Sequence, residues 1–307
     1  MQPREPAPLV ATSLAPVGLV VNTHSRQGAD LFVDAQRVLH ERGIPLSAAY
    51  ALRQPRELRE VARKLVAEGE RLIIVGGGDG TLSTVVDELA YRDVVLGILP
   101  LGTANTFART LDIPLDLDGA VDVIARGHLR EVDLGKIGDD YFTSEISIGI
   151  ATEMTRHTSR RLKRVLGILA YGLTGLRIAL GHRPFRCTLR LDDTVETFET
   201  HQLLIANGPY VGIRRLIPGT TLDDERMVVL AVKSRNPWDL ARLAFTYVTG
   251  LGSVFPETFH WQTREVTVET DPRQDIDVDG EVNTTTPARV SIAPRALKVL
   301  APPRHES

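Results

Sequence analysis

The feature that most constrains the fold of this chain is Gly76-Gly77-Gly78-Asp79-Gly80-Thr81, directly after the apolar run Arg71-Leu72-Ile73-Ile74-Val75. An apolar run rich in β-branched residues, four glycines around one aspartate, and then Thr81-Leu-Ser-Thr-Val-Val-Asp-Glu-Leu-Ala read as strand, tight loop and helix. Such glycines let backbone N–H groups approach a polyphosphate without Cβ obstruction, and the next helix aims its positive end at the same anion. No Gly-Lys-Ser/Thr follows, so the loop is not a Walker A, and the acidic partner of a Rossmann fingerprint is missing about twenty residues on. A turn at a strand end would explain bare glycines as well. The embedded Asp79 and the following Thr81 favour a phosphate site.

Residues 17–133 repeat the strand–helix alternation. Residues 17–21 form a buried-type strand and Asn22 to Gly28 a polar loop; Leu31, Ala35, Val38 and Leu39 then keep helical spacing as far as Gly43. Residues 46–52 are the next strand, and Pro55 opens a helix carrying Leu58, Val61, Ala62 and Leu65 that closes at Gly69. With residues 94–99 as a further strand, the order predicts a parallel sheet covered on both faces. Ligands of such sheets bind beyond the carboxyl ends of the strands, where the polar loops fall. From about Tyr141 the runs become short and turn-bounded, at 186–192, 202–206, 227–232, 265–269 and 290–293. They predict a β-rich, antiparallel domain over 134–295, interrupted by helical stretches at 161–180 and 238–251. A cleft between two such domains is a usual place for a small-molecule site.

Composition narrows the class. At 307 residues the chain holds one large or two medium domains, and 43% hydrophobic with 24% charged residues is ordinary for a globular protein. Thirty-six basic against 39 acidic residues, a net charge of −3, gives no ground for a nucleic-acid partner. Cys187 is the single cysteine, which excludes an internal disulfide and fits a reducing, cytoplasmic setting. Residues 1–16, with three prolines in the first eight, read as a disordered lead-in rather than a signal peptide. Residues 165–176 fall short of the roughly 20 needed to span a bilayer.

A second loop, Pro100-Leu-Gly-Thr-Ala-Asn-Thr-Phe-Ala-Arg109, follows the next strand. Together with the glycine loop it resembles the diacylglycerol kinase catalytic domain family, in its soluble bacterial lipid kinase branch related to sphingosine and ceramide kinases. Asp133-Leu-Gly135, Phe142, Ser147-Ile-Gly149, Ala206-Asn-Gly208, Leu222-Asp-Asp224, Asp279-Gly-Glu281 and Thr286-Pro287 follow in the family's order over almost the whole chain. The resemblance implies an α/β nucleotide-binding domain over 17–133 and a β-sandwich-like substrate domain. It also implies a last segment, from about Ala296 to 307, that returns to the first domain.

By position, Gly76, Gly77, Gly78, Asp79, Gly80, Thr81 and Leu82 would hold the ATP phosphates, with Asn22 in the first nucleotide loop and Thr103 and Asn105 adding polar contacts. An Asx-turn or helix cap is the competing role for Asn105. A carboxylate beside ATP is costly unless a cation lies between, which assigns Asp79 to Mg²⁺. The acidic stretch Asp275-Ile-Asp-Val-Asp-Gly-Glu281 opens like an EF-hand but has Thr286 where the bidentate Glu belongs. Alternation places Asp275, Asp277 and Asp279 on one strand face, with Gly280 turning Glu281 towards the cleft. By resemblance Glu281 is the general base for the lipid hydroxyl, and Asp279 a neighbour that orients it or couples to the metal. A structural metal site is also implied, in which the Asp224 side chain joins the carbonyls of Thr221 and Arg226. The chain departs from the family at Glu225, where Gly is usual, at Asn22-Thr-His-Ser25, and at Leu52-Arg53.

Arg156, Arg160, Arg161, Lys163 and Arg164 place five basic residues within nine, just before a Gly-interrupted apolar segment. That pattern suits peripheral contact with an anionic membrane surface, and equally a solvated helix face. Leu166, Leu169, Leu173 and Leu176 fit an acyl groove or core packing alike. The sequence reading is therefore an ATP- and Mg²⁺-dependent transferase acting on diacylglycerol or a related lipid alcohol in phospholipid metabolism. A soluble-substrate kinase of the NAD kinase type and a catalytically silent nucleotide- or lipid-binding regulator remain the alternatives. Oligomeric state, a homodimer included, is left open.

Overall fold

The computed structural model describes residues 11–24, 28–126, 128–157, 183–192, 194–215, 219–232 and 258–303. Arg160, Arg161, Lys163 and Arg164, the leucine stripe and the 238–251 stretch lie outside the described residues.

The chain opens with β1 (Val17–Asn22), α1 (Gly28–Glu41), β2 (Ala48–Leu52), α2 (Pro55–Ala67), β3 (Leu72–Gly77), α3 (Asp79–Leu89) and β4 (Val95–Pro100). Two helices, α4 (Thr106–Thr110) and α5 (Leu117–Arg126), then lead into β5 (Leu129–Ile137) and β6 (Asp140–Phe142). Strands β2, β1, β3 and β4 lie side by side and parallel. β3 and β4 are buried along their whole length because helices cover both faces. Helix α2 begins where the sequence predicts: Pro55 stands at its first turn, and Gln54 with Glu57 forms a capping box. Its Leu58, Ala62 and Leu65 face inwards at helical spacing. α2 packs on α3 and α1 against α5, the opposite-face pairing that right-handed crossovers require.

The second half contains β7 (Glu145–Gly149), α6 (Ile150–His157), β8 (Phe185–Leu191), β9 (Thr194–Thr200), β10 (Gln202–Ala206), β11 (Tyr210–Val211) and β12 (Arg214–Arg215). It continues with β13 (Met227–Val232), β14 (Thr258–Thr263), β15 (Glu265–Asp271), β16 (Asp275–Val278), β17 (Glu281–Thr285) and β18 (Ala288–Leu300). Six of these strands form an antiparallel sheet in the order β14-β13-β10-β7-β16-β17. A second core, with Phe142, Ile148, Phe185, Leu203, Val229 and Ile276, fills the space within this half. The fold is thus an α/β domain with a parallel sheet followed by an antiparallel, sandwich-like domain.

One strand ties the halves together. β18 pairs antiparallel with β15 at Ala288–Ser291, antiparallel with β5 over most of its length, and parallel with β4 at Lys298 and Val299. Its register shifts between Ala293 and Leu297, where Arg295 takes φ +48°. The bulge lets one continuous strand leave one domain and enter the other. Among the described residues no helix is long and apolar enough to cross a membrane.

One expectation is corrected. The alternation read from 275 to 279 runs only as far as Val278: Ile276 and Val278 enter the second core, Asp277 falls on the opposite face of β16, and all three are buried. Asp279 lies beyond the strand in the turn, at φ +48°. The two consecutive positive-φ residues, Asp279 and Gly280, end the period-two pattern, and the register shift that follows lies on β17 at Asn283.

Candidate active site

The glycine loop forms the carboxyl end of β3 and the start of α3. A Cβ on Gly77 would come within 2.5 Å of the Thr81 side chain, and one on Gly102 would overlap the Cα of Gly78. Glycine is required here because the two loops touch backbone to backbone, with the Leu101 amide donating to the Gly77 carbonyl at 2.9 Å. Asn22 ties in the first loop: its Nδ2 donates to Thr81 Oγ1 at 2.8 Å, and its Oδ1 accepts the His24 amide at 3.0 Å. Thr103 is exposed on the second loop. Leu82 turns its side chain into the core, and its amide donates to the Gly78 carbonyl.

Asn105 spends its side chain inside its own loop. Oδ1 accepts the Gly102 amide at 2.9 Å, and Nδ2 donates to the carbonyls of Pro100 and Gly102. Its φ of +51° is one that asparagine tolerates better than most residues. It shapes the loop at the start of α4.

Asp79 Oδ1 accepts the Phe107 amide at 3.1 Å, and Oδ2 lies 3.5 Å from the Thr106 hydroxyl. Burial raises its pKa, and the hydrogen bonds from α4 offset part of that rise. The weakly engaged Oδ2 suits a cation.

The turn from β16 to β17 carries the other two acids. Gly280 takes φ +89° and donates its amide to Asp277 Oδ1 at 2.7 Å. Glu281 is exposed and comes close to the glycine loop: a Cβ on Gly80 would lie 3.9 Å from Glu281 Oε1. Asp79 and Glu281, 202 positions apart in sequence, therefore flank the same loop. Asp279 faces the other way, into the protein. Its carboxylate accepts the amides of Thr143, Ser144 and Glu145 and the Thr143 hydroxyl, at 2.7–3.0 Å. Burial pushes its pKa up, and those four bonds oppose the push. Asp279 anchors the turn that carries Glu281 to the segment entering β7.

Asp224 holds the backbone amides of the residues whose carbonyls the metal reading uses. Oδ2 accepts from Thr221 and Oδ1 from Arg226, at 3.1 and 2.9 Å. The departure at Glu225 falls where glycine would fit best, at φ +55°; its side chain pairs with Arg264 at 2.7 Å. Among the described residues no group of three or more His, Cys, Asp or Glu is arranged for a metal ion. Arg156 lies in the backbone of α6.

Sequence reasoning missed Glu145. Its Oε2 is sealed from solvent without a hydrogen-bond partner. Burial first, then the charges of Asp279, Asp277 and Asp79, push its pKa up to about 8. The available signal was a lone carboxylate in the otherwise uncharged run 142–152.

Comparison with known proteins agrees with this architecture. Residues 16–137 match the diacylglycerol kinase catalytic domain, and residues 144–301 the YegS C-terminal NAD kinase beta sandwich-like domain. A Staphylococcus aureus protein named diacylglycerol kinase is 30% identical over 261 residues, 83% of this chain and 82% of that protein. One of the same name from Staphylococcus haemolyticus is 28% identical over 89% of this chain and 82% of its own length. The crystal structure of a diacylglycerol kinase from Bacillus anthracis superposes with a TM-score of 0.75 at 26% identity, covering 94% of this chain and 97% of that one. The chain belongs to the diacylglycerol kinase family and is a phosphotransferase.

Proposed function

We propose that this protein transfers the γ-phosphoryl group of ATP to the hydroxyl of diacylglycerol or a related lipid alcohol, with Glu281 as general base. The observation that carries the reading is the approach of Glu281 to Gly80, which sets a carboxylate beside a backbone built for phosphate. The backbone where β3 turns into the amino end of α3 receives the triphosphate, and the Asn22–Thr81 bond fixes the wall on the β1 side. Glu281 takes the proton of the lipid hydroxyl as its oxygen attacks the γ-phosphorus. The bond from that phosphorus to the β–γ bridging oxygen breaks, and ADP leaves with the electron pair. Asp79 would hold Mg²⁺, which supplies charge neutralisation between carboxylate and phosphates.

Glu281→Gln tests the assignment. Turnover should fall by about 10²–10⁴-fold, the usual share of a general base, with ATP affinity nearly unchanged. Retained turnover would remove Glu281 from the role, and a wild-type protein that phosphorylates no lipid alcohol would remove the reading itself. NAD belongs in the same acceptor panel, since phosphorylated NAD would point to the soluble-substrate alternative. The basic run Arg156–Arg164 supports peripheral binding to anionic membranes. Co-sedimentation should be stronger with vesicles containing phosphatidylserine than with neutral ones; equal sedimentation would speak against it.

A further inference from the structure

A cavity of about 680 Å³ has Glu281 on its wall. Its walls are the outward face of α3 (Ser83, Thr84, Asp87), the β5–β6 hairpin (Asp139, Asp140, Tyr141), and the β17–β18 region with Thr284 and Arg289. The size falls within the range of small-molecule sites. The lining is unlike that of an acyl-chain pocket: hydroxyls and charged groups dominate it.

The charges in it are specific. Arg59 and Arg289 are the guanidinium groups on its wall, and each is already held by a carboxylate at 2.6 Å, Arg59 by Asp87 and Arg289 by Glu265. Glu281, Asp139 and Asp140 add further negative charge. Among the described lining residues a phosphate-bearing ligand would meet more carboxylates than cations, and both guanidinium groups are already paired; the next cation, Lys136, stands over the Tyr141 ring at 5.7 Å. A neutral ligand rich in hydroxyls would find acceptors on the carboxylates and donor–acceptor partners on Ser83, Thr284 and Tyr141. The walls are also braced: Asp87 accepts the Tyr141 amide at 2.8 Å while it binds Arg59, which locks α2, α3 and the hairpin around the space.

We propose that this cavity receives the head of the acceptor lipid, and that it selects an uncharged polyhydroxylated head, such as a sugar, over an anionic one. The inference rests on the lipid kinase reading above. Because Glu281 is shared by the cavity and the phosphate loop, a hydroxyl presented from the cavity reaches the base and the γ-phosphoryl group together. The acyl chains point away from this polar space.

The test uses the full-length protein, labelled ATP, and mixed micelles holding a monohexosyl-diacylglycerol or phosphatidylglycerol. The neutral hexosyl lipid should show kcat/KM at least tenfold above that of phosphatidylglycerol. Asp140→Lys, which places a cation at the hairpin, should shift that ratio at least tenfold towards phosphatidylglycerol, with circular dichroism verifying that the variant folds. A second readout is independent of turnover: methyl glucoside titrated into ¹⁵N-labelled protein should shift the amides of Thr84, Asp140 and Tyr141. Equal or better use of phosphatidylglycerol, a ratio that Asp140→Lys leaves unmoved, or amides that do not respond would each overturn the proposal. Diacylglycerol in the same micelles separates the two failures: if it is phosphorylated and the hexosyl lipid is not preferred, the cavity assignment fails alone; if no lipid, diacylglycerol included, is phosphorylated, the kinase reading fails with it.

Discussion

Glu145 shows how one side chain can carry the pH dependence of a fold. In the unfolded chain its carboxyl titrates near 4.5, and in the fold near 8. The folded state therefore holds the proton more tightly. The stabilisation is complete below about pH 4.5 and is lost as pH rises through 8. Glu145→Gln keeps the shape without the charge. It should flatten the pH dependence between these values and make the variant more stable than wild type above pH 8 by about 1–3 kcal/mol, the cost of a buried unpaired group. Urea unfolding at pH 6 and pH 9 measures this, and parallel profiles for the two proteins would contradict it. Periodicity could not reveal this residue, because its pKa is set by Asp277, Asp279 and Asp79 from distant segments.

At the scale of elements, the β16–β17 turn works as a unit. Asp279 fastens it to the segment before β7 through four hydrogen bonds, and Glu281 projects from its far end. The two acids should therefore separate experimentally. Asp279→Asn turns an amide NH₂ towards backbone donors and should cost about 3 kcal/mol, seen as a lowered Tm. Glu281→Gln should leave Tm in place while turnover falls. An Asp279→Asn protein of wild-type Tm that had lost activity would instead favour a direct catalytic role. The motif Asp-Gly-Glu was legible in the sequence. Which of its acids faces the glycine loop was not, since the positive-φ turn at Asp279 and Gly280 and the hydrogen bonds of Asp279 to the segment before β7 decide it.

For the whole molecule the junction is Asp133. Its carboxylate is buried and accepts the Glu225 amide from the second domain and the Arg295 amide from the bulge in β18, both at 2.8 Å. Its own amide donates to the Leu222 carbonyl, and Asn207 Nδ2 bridges the Asp133 and Thr143 carbonyls. Asp133→Asn leaves one of those donors facing an NH₂. It should destabilise the junction by about 1–3 kcal/mol and split a single calorimetric transition into two. One unshifted transition would mean that β18 and the backbone contacts of the junction couple the domains without this carboxylate.

The sequence by itself determined the strand–loop–helix units, the parallel sheet, the two-domain order and the place of the glycine loop at a strand's carboxyl end. Those properties follow from local periodicity, capping and glycine placement, which act within a few residues. The tertiary structure alone decided that Glu281 meets Gly80 across 201 positions, that Asp279 and Asn105 serve as braces, and that a polar cavity lies behind α3. These depend on desolvation and on contacts between segments remote in the chain, which no local pattern encodes.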